Sequence, residues 1–300
     1  MNRLRRGDLA FQVVNALVLL ILVAVTLYPF WNTLVVSFNN AADTLRGGVY
    51  LWPRQWTAQN YQAVFATGTI VNAFFVSVAR TGLSTVLSLF LTSMLAYALG
   101  RREYALRKPL TGVVVFTMYV GAGLIPIYFL YKGLLLIDTF WVYVVPGLVS
   151  AFNFIVIRTY IQTIPESLVE SARMDGGGDF RIFMRIILPL SAPVLATIAL
   201  FVAVGAWNSW FDTQFFASGK QELSTLQFEL MKFLSSSQSQ SKSAADVGAL
   251  GMAKNFSASM VTPVSIRAAI TVVAALPILV VYPFLQRHFV TGLSVGGVKE

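Results

Sequence analysis

The 300-residue chain has no cysteine and one histidine, His288, which excludes disulfide staples, thiolate metal sites and His-rich metal centres. Charge is scarce as well. Only 12% of the residues are charged, against roughly 25% in a soluble domain, and this excludes an ordinary soluble enzyme. There is no G-x-x-x-x-G-K-[ST] phosphate loop, so the chain does not bind ATP in the Walker manner. No internal repeat is evident, which gives no support to the inverted-repeat design of many secondary transporters.

Apolar sequence is what the chain has in excess: 56% hydrophobic residues and a mean hydropathy of +0.70. Apolar runs lie at Leu9–Trp31, Ile70–Leu99, Leu110–Tyr131, Phe140–Ile161, Leu190–Phe211 and Thr262–Phe284. Each is long enough to cross a hydrocarbon core of roughly 30 Å. They predict an all-α membrane protein, residues 1–300 forming one domain with six transmembrane helices. The first run follows Arg3, Arg5 and Arg6 as a signal peptide would. Its length and the lack of an A-x-A-like cleavage site predict a retained helix instead.

The net charge of +9 could serve nucleic acid, but Lys and Arg gather in short segments between apolar runs, which orientation in a bilayer explains better. With the N-terminus in the cytoplasm, 13 basic residues fall inside and 7 outside, so both termini are predicted to be cytoplasmic. Residues 212–261 then form a long external loop, and 286–300 a cytoplasmic tail. The polar, low-complexity Ser235–Ser243 reads as an exposed, mobile part of that loop.

A proton-coupled carrier needs an ionisable carboxylate or histidine inside the bilayer. All 13 acidic residues, Asp138 and Asp212 among them, fall in predicted loops, tails or helix ends. An internal proton or ion battery is therefore not expected; if the chain serves driven transport, another subunit supplies the energy. Arg80 and Arg267 are the intramembrane exceptions. Each can line a polar path, or can snorkel or pair with a backbone carbonyl.

The most polar internal loop is Thr163–Pro189. Thr163 and Glu166 match a capping box, with Pro165 tolerated in the first turn, and predict a short helix starting at Thr163. Gly176, Gly177 and Gly178 can end it through a left-handed residue, and Asp179 can cap a second helix. There Ile182, Phe183, Ile186 and Ile187 recur at helical spacing, while Arg181 and Arg185 share another face. The result is a bracket of two short helices joined by a sharp turn.

Glu170-Ser171-Ala172, three residues, Gly176, nine residues, Ile186, one residue and Leu188-Pro189 resemble the EAA loop of ABC importer permeases, with Ser171 replacing the central alanine. The C-terminal Pro283–Lys299 is similar to the tail of the smaller maltose-type permease subunit. Ser93–Arg102 and Trp207-Asn208 also look familial. Phe38–Pro53 resembles a branch associated with complex oligosaccharides; read without the family, it is a loop with a Gly-Gly turn and an interfacial Trp-Pro.

The resemblance implies a type I importer permease in a bacterial cytoplasmic membrane, a transport subunit for sugars or oligosaccharides and not an enzyme. It has no cofactor of its own. The implied partners are a second homologous permease, two ATPases that bind ATP and Mg, and an extracytoplasmic solute-binding protein. Glu170, Ser171, Ala172, Arg173, Asp175, Gly176, Ile186, Leu188 and Pro189 would couple to the ATPase, Glu170, Arg173 and Asp175 by charge-assisted contacts. Gly296, Gly297 and Lys299 would contact it through the tail.

Arg80, Trp207, Asn208 and Trp210 are candidates for the transport path, although Trp52, Trp56, Tyr61, Trp207 and Trp210 equally suit an interfacial belt. Two rivals stay open from the residues. A permease for amino acids, peptides, polyamines or phosphate is one; charged cargo usually needs opposite charge in the path, and a neutral solute fits better. A membrane-embedded enzyme or scaffold is the other; an enzyme would need a catalytic constellation, which the spans lack.

Overall fold

The computed structural model describes residues 6–66, 68–235 and 261–295, with side chains described for 11–66, 68–235 and 261–280. No strand occurs among the described residues; the only β contact there is an isolated bridge between Asn39 and Trp56. The chain divides into two units, 1–68 with 232–276, and 69–231 with 277–300.

In the first unit, α1 (Arg6–Ser37) is apolar on all sides, and its stretch from Phe11 onward is uncovered by protein over its most apolar window. A helix of that kind requires lipid or another protein around it. Its end is tied to a compact knot that carries α2 (Ala41–Leu45) and α3 (Gln59–Ala66). Buried Asn39 donates to Asp43 (3.0 Å) and Thr44 (2.9 Å), and accepts from the Gln55 amide (3.0 Å). Arg54 Nε closes the knot on Asp43 at 3.0 Å. The Asn39 amide and, less strongly, Arg54 hold the Asp43 carboxyl below its usual value. Trp52 and Trp56 stand exposed on this frame with ring centroids 5.4 Å apart.

The second unit is organised around α4 (Thr69–Gly100). Ser77, Arg80, Ser84, Ser88 and Thr92 recur every three or four residues along one buried face. That stripe meets irregular backbone. The Ser84 hydroxyl donates to the Tyr143 carbonyl (3.3 Å), Thr92 to the Leu148 carbonyl (3.1 Å), and Ser77 accepts from the Leu226 amide (2.9 Å). Non-helical backbone in a membrane protein needs such partners because lipid offers none.

Three expected runs are broken. Leu110–Tyr131 becomes α5 (Arg107–Phe116) and α6 (Leu124–Gly133), parted at Gly121-Ala-Gly123, with Gly123 at φ +74°. Phe140–Ile161 becomes two 3₁₀ turns (Phe140–Tyr143, Val145–Gly147) and α7 (Ala151–Ile161), bent by 47°. Pro146 brings no amide to that ladder, and Ser150 caps α7. Leu190–Phe211 is cut near both ends: an 80° bend after Leu190 precedes the helix Ala192–Asn208, which stops short of Phe211. Three described helices are long and apolar enough to span a membrane, or up to five if each bent pair is one span.

The last helix opens on a reciprocal cap: the Thr262 amide donates to Ser265 Oγ (3.1 Å) and the Ser265 amide to Thr262 Oγ1 (3.3 Å), with Pro263 at its first position. It reaches Val295, past the expected end at Phe284 and into the expected tail. The side chain of Arg267 is partly buried and makes no ion pair among the described residues. Residues 236–243 of the expected mobile stretch lie outside the described residues.

Thr92→Val keeps the shape of the side chain but orphans the Leu148 carbonyl, a loss of about 1–3 kcal/mol. Thermal unfolding of the purified protein in detergent is expected to show a lower Tm for Thr92→Val and a near-normal one for Thr92→Ser.

Candidate functional site

The bracket starts with α8 (Glu166–Met174), whose N-cap is Pro165, with no side-chain cap. The expected capping box is absent, because the Thr163 hydroxyl donates instead to the Tyr160 carbonyl (2.7 Å) and closes the helix before it. At the other end the glycines act as expected. Gly176 takes φ +77°, its amide reaches the Arg173 carbonyl (2.9 Å) and the Gly177 amide reaches that of Ala172 (2.9 Å), both bonds of a Schellman motif. A Cβ on Gly177 would stand 2.7 Å from the Ala172 carbonyl oxygen, so glycine is required there too.

The second arm is α9 (Asp179–Ile182), a π turn (Phe183–Ile187) and α10 (Leu188–Leu190), followed after an 80° bend by α11 (Ala192–Asn208). Gly178, not Asp179, is the N-cap. Pro189 has no amide to offer the carbonyl one turn back, and the widened turn before it accommodates that loss.

The bracket has two faces. Val169, Ile182, Phe183 and Ile187 are buried with Tyr97 of α4 and with Ile157 and Ile161 of α7; Ala172, Ile186 and Leu188 pack partly against the same cluster. Glu170, Ser171, Asp175, Gly176 and Pro189 lie exposed. Leu168, Met174 (89% exposed), Phe180 and Met184 join them. Apolar side chains held outward on a rigid turn are the chemistry of a docking surface.

Arg173 belongs to neither face. Its guanidinium grips Glu103 with both terminal nitrogens, at 2.7 and 2.8 Å, and reaches Asp179 at 3.0 Å. Arg101 adds a 3.3 Å contact to Glu103. In this structure the residue expected to meet the ATPase is committed within its own chain, tying the bracket to the turn after α4. The bond from Arg173 holds the Glu103 carboxyl below its ordinary value, and Glu103 with Asp179 raises that of Arg173. Nothing in the local sequence pattern marks Glu103 as the partner of Arg173, 70 residues away.

Arg80 is 3% exposed and forms an ion pair with Asp212, in the first turn of α12 (Phe211–Phe216). It also donates to the Ser209 carbonyl (3.1 Å), and Tyr143 lies under the guanidinium at 4.7 Å. Arg80 thus binds a carbonyl and borders a cavity of about 370 Å³ shared with Asp212, Tyr131 and Tyr143. Trp207 is buried edge-on to Phe74 (6.1 Å), Asn208 is exposed and accepts from Gln227 (3.2 Å), and Trp210 packs on Phe211. Of the four path candidates only Arg80 lines that cavity. Gly296, Gly297 and Lys299 lie outside the described residues.

Long apolar helices, a bracket sealed inside and open outside, and no nucleotide-binding loop define the membrane-spanning component of a transport complex. Residues 94–295 match the family described as binding-protein-dependent transport system inner membrane component. The chain belongs to that family: it is a permease of an ABC importer, a multi-pass bacterial membrane protein and not an enzyme, with ATP hydrolysis carried out by separate subunits. It is similar to the polygalacturonan/rhamnogalacturonan transport system permease YtcP of Bacillus subtilis (strain 168), 36% identical over 94% of this chain and 95% of that one. The LplC protein of the same organism is 36% identical over 96% of this chain and 95% of its own length. A chain from the crystal structure of a bacterial ABC transporter that imports the acidic polysaccharide alginate superposes with a TM-score of 0.83 at 28% identity, covering 96% of this chain and 100% of that chain.

The lowered pKa of Glu103 gives the clasp a pH signature. A carboxyl depressed by folding contributes stability above its unfolded value, here 4.5, and that contribution disappears as the pH falls through the lower folded value. Between pH 6 and the acid limb, the Tm of the wild type is therefore expected to fall more steeply than that of Glu103→Gln, measured by scanning fluorimetry.

Proposed function

We propose that this chain forms one half of the translocation path of an importer for oligosaccharides derived from polysaccharides. The second half is a homologous permease, two ATPases drive the pair, and an external binding protein delivers the cargo. Both termini and the Thr163–Pro189 bracket face the cytoplasm. The carrying observation is the two-faced bracket: its apolar inside is welded to α4 and α7, and its outside presents Leu168, Glu170, Met174 and Phe180 to a partner.

ATP binding closes the ATPase dimer and displaces the outer face. Because the inner face is buried against two membrane helices, the displacement passes into the bundle. The names of the similar permeases support a carbohydrate cargo, and so does the Phe38–Pro53 stretch. Arg80 is neutralised by Asp212, which leaves no uncompensated charge in the cavity beside it and argues against a path built for a charged amino acid or polyamine.

The chain is co-expressed with its permease and ATPase partners, and ATP hydrolysis is measured with and without loaded binding protein. Glu170→Ala and Gly176→Val are expected to reduce the stimulated rate roughly tenfold or more, the size of a lost interface anchor. Unchanged stimulation, transport and ATPase retention in both variants would contradict the coupling role.

A further inference from the structure

A second cavity, about 550 Å³, opens beside the bracket where α4 ends. Arg101, Arg102 and Arg107 line it together with Glu166, an excess of positive charge in one place. Arg101 is occupied by Glu103, but Arg102, Arg107 and Glu166 form no ion pair among the described residues. Like charges gathered around one cavity repel unless an anion lies between them.

The backbone adds to the same field. Arg107 opens α5 and Glu166 opens α8, helices of 10 and 9 residues, so the first turns of both border the cavity. Neither has a side-chain cap: the N-cap positions are Leu106 and Pro165. Helix N-termini carry partial positive charge, and basic residues in the first turn work against the dipole. Arg107 and Lys108 sit there nonetheless. In α5 the Arg107 amide already donates to the Tyr104 carbonyl (3.2 Å) and Pro109 has no amide, so it is the dipole and not a set of free amides that adds to the field. An anion in the cavity would compensate Arg102, Arg107 and the positive ends of both helices together. Its volume is within the range of ligand sites, about 300–1,000 Å³.

We propose that this cavity is a phosphate-binding site. The membrane supplies one source: α4 is a span-length apolar helix that ends at Gly100, so Arg101 and Arg102 emerge at headgroup level, where basic pockets between helices hold anionic headgroups. Free phosphate is the other source with the same chemistry. An occupant would bridge the end of α4, the start of α5 and the first turn of the coupling bracket, and would add a tie between them on the polar side.

The test uses the chain assembled with its partners. After delipidation it is given phosphatidylglycerol or phosphatidylcholine, and bound lipid is counted by native mass spectrometry; inorganic phosphate is assayed separately through Tm. Retained phosphatidylglycerol, without phosphatidylcholine, is expected for the wild type. Its apparent affinity should fall roughly thirtyfold in Arg102→Gln/Arg107→Gln, because two cationic side chains are removed from the headgroup's surroundings. A phosphate-dependent Tm that the same substitutions abolish, with no lipid retained, would assign the site to free phosphate. The proposal is overturned if neither probe binds, if binding is unchanged in the double variant, or if Arg181→Gln/Arg185→Gln weakens it equally, which would mark general surface attraction.

Discussion

The burial of Val169, Ile182, Phe183 and Ile187 against Tyr97, Ile157 and Ile161 is the constraint on which the rest of the structure depends. Phe183 stacks on Tyr97 with ring centroids 5.7 Å apart, so the second arm of the bracket lies directly on the last turns of α4. Without that seal the bracket would be two short helices on a flexible tether, and helices of this length do not hold their shape in water alone. Sealed, it becomes a rigid extension of α4 and α7. The Arg173–Glu103 pair lies at the rim of the seal. Being exposed, it serves alignment more than stability.

α4 links the two ends of the unit. At its C-terminal end it receives the bracket, and farther back it carries Arg80 into contact with Asp212 and Ser209. A buried guanidinium and its carboxylate are costly to separate, about 3–5 kcal/mol when one partner is removed. Movement of α4 therefore carries the start of α12 with it or breaks that pair. The Ser and Thr stripe beside Arg80 serves the irregular 143–148 backbone, which could not exist against lipid without such donors.

The helical membrane class is legible in the sequence, since runs of about 20 apolar residues have few other uses. The bracket is legible too, because Gly176 and Gly177 stand where backbone geometry admits little else. The breaks are harder. Leu110–Tyr131 and Phe140–Ile161 are apolar throughout, and apolarity does not distinguish a straight helix from two pieces; Gly121, Gly123 and Pro146 carry that information. Asp179 has the chemistry of a cap but is held by Arg173, and Thr163 turns back to Tyr160, because neighbouring groups outbid a local motif. The partner of Arg173 is invisible for a different reason: Glu103 is 70 residues away, and single-sequence patterns do not encode contacts at that range.

The absence of cysteine makes the central claim, an inner face sealed and an outer face docked, directly measurable. Single cysteines at Met174→Cys and Val169→Cys would each be tested for thiol cross-linking to a cysteine-bearing ATPase partner in membranes. The account predicts an ATPase adduct from Met174→Cys and none from Val169→Cys. An adduct from neither position, with Met174→Cys labelled by an impermeant reagent from outside the cell, would contradict it.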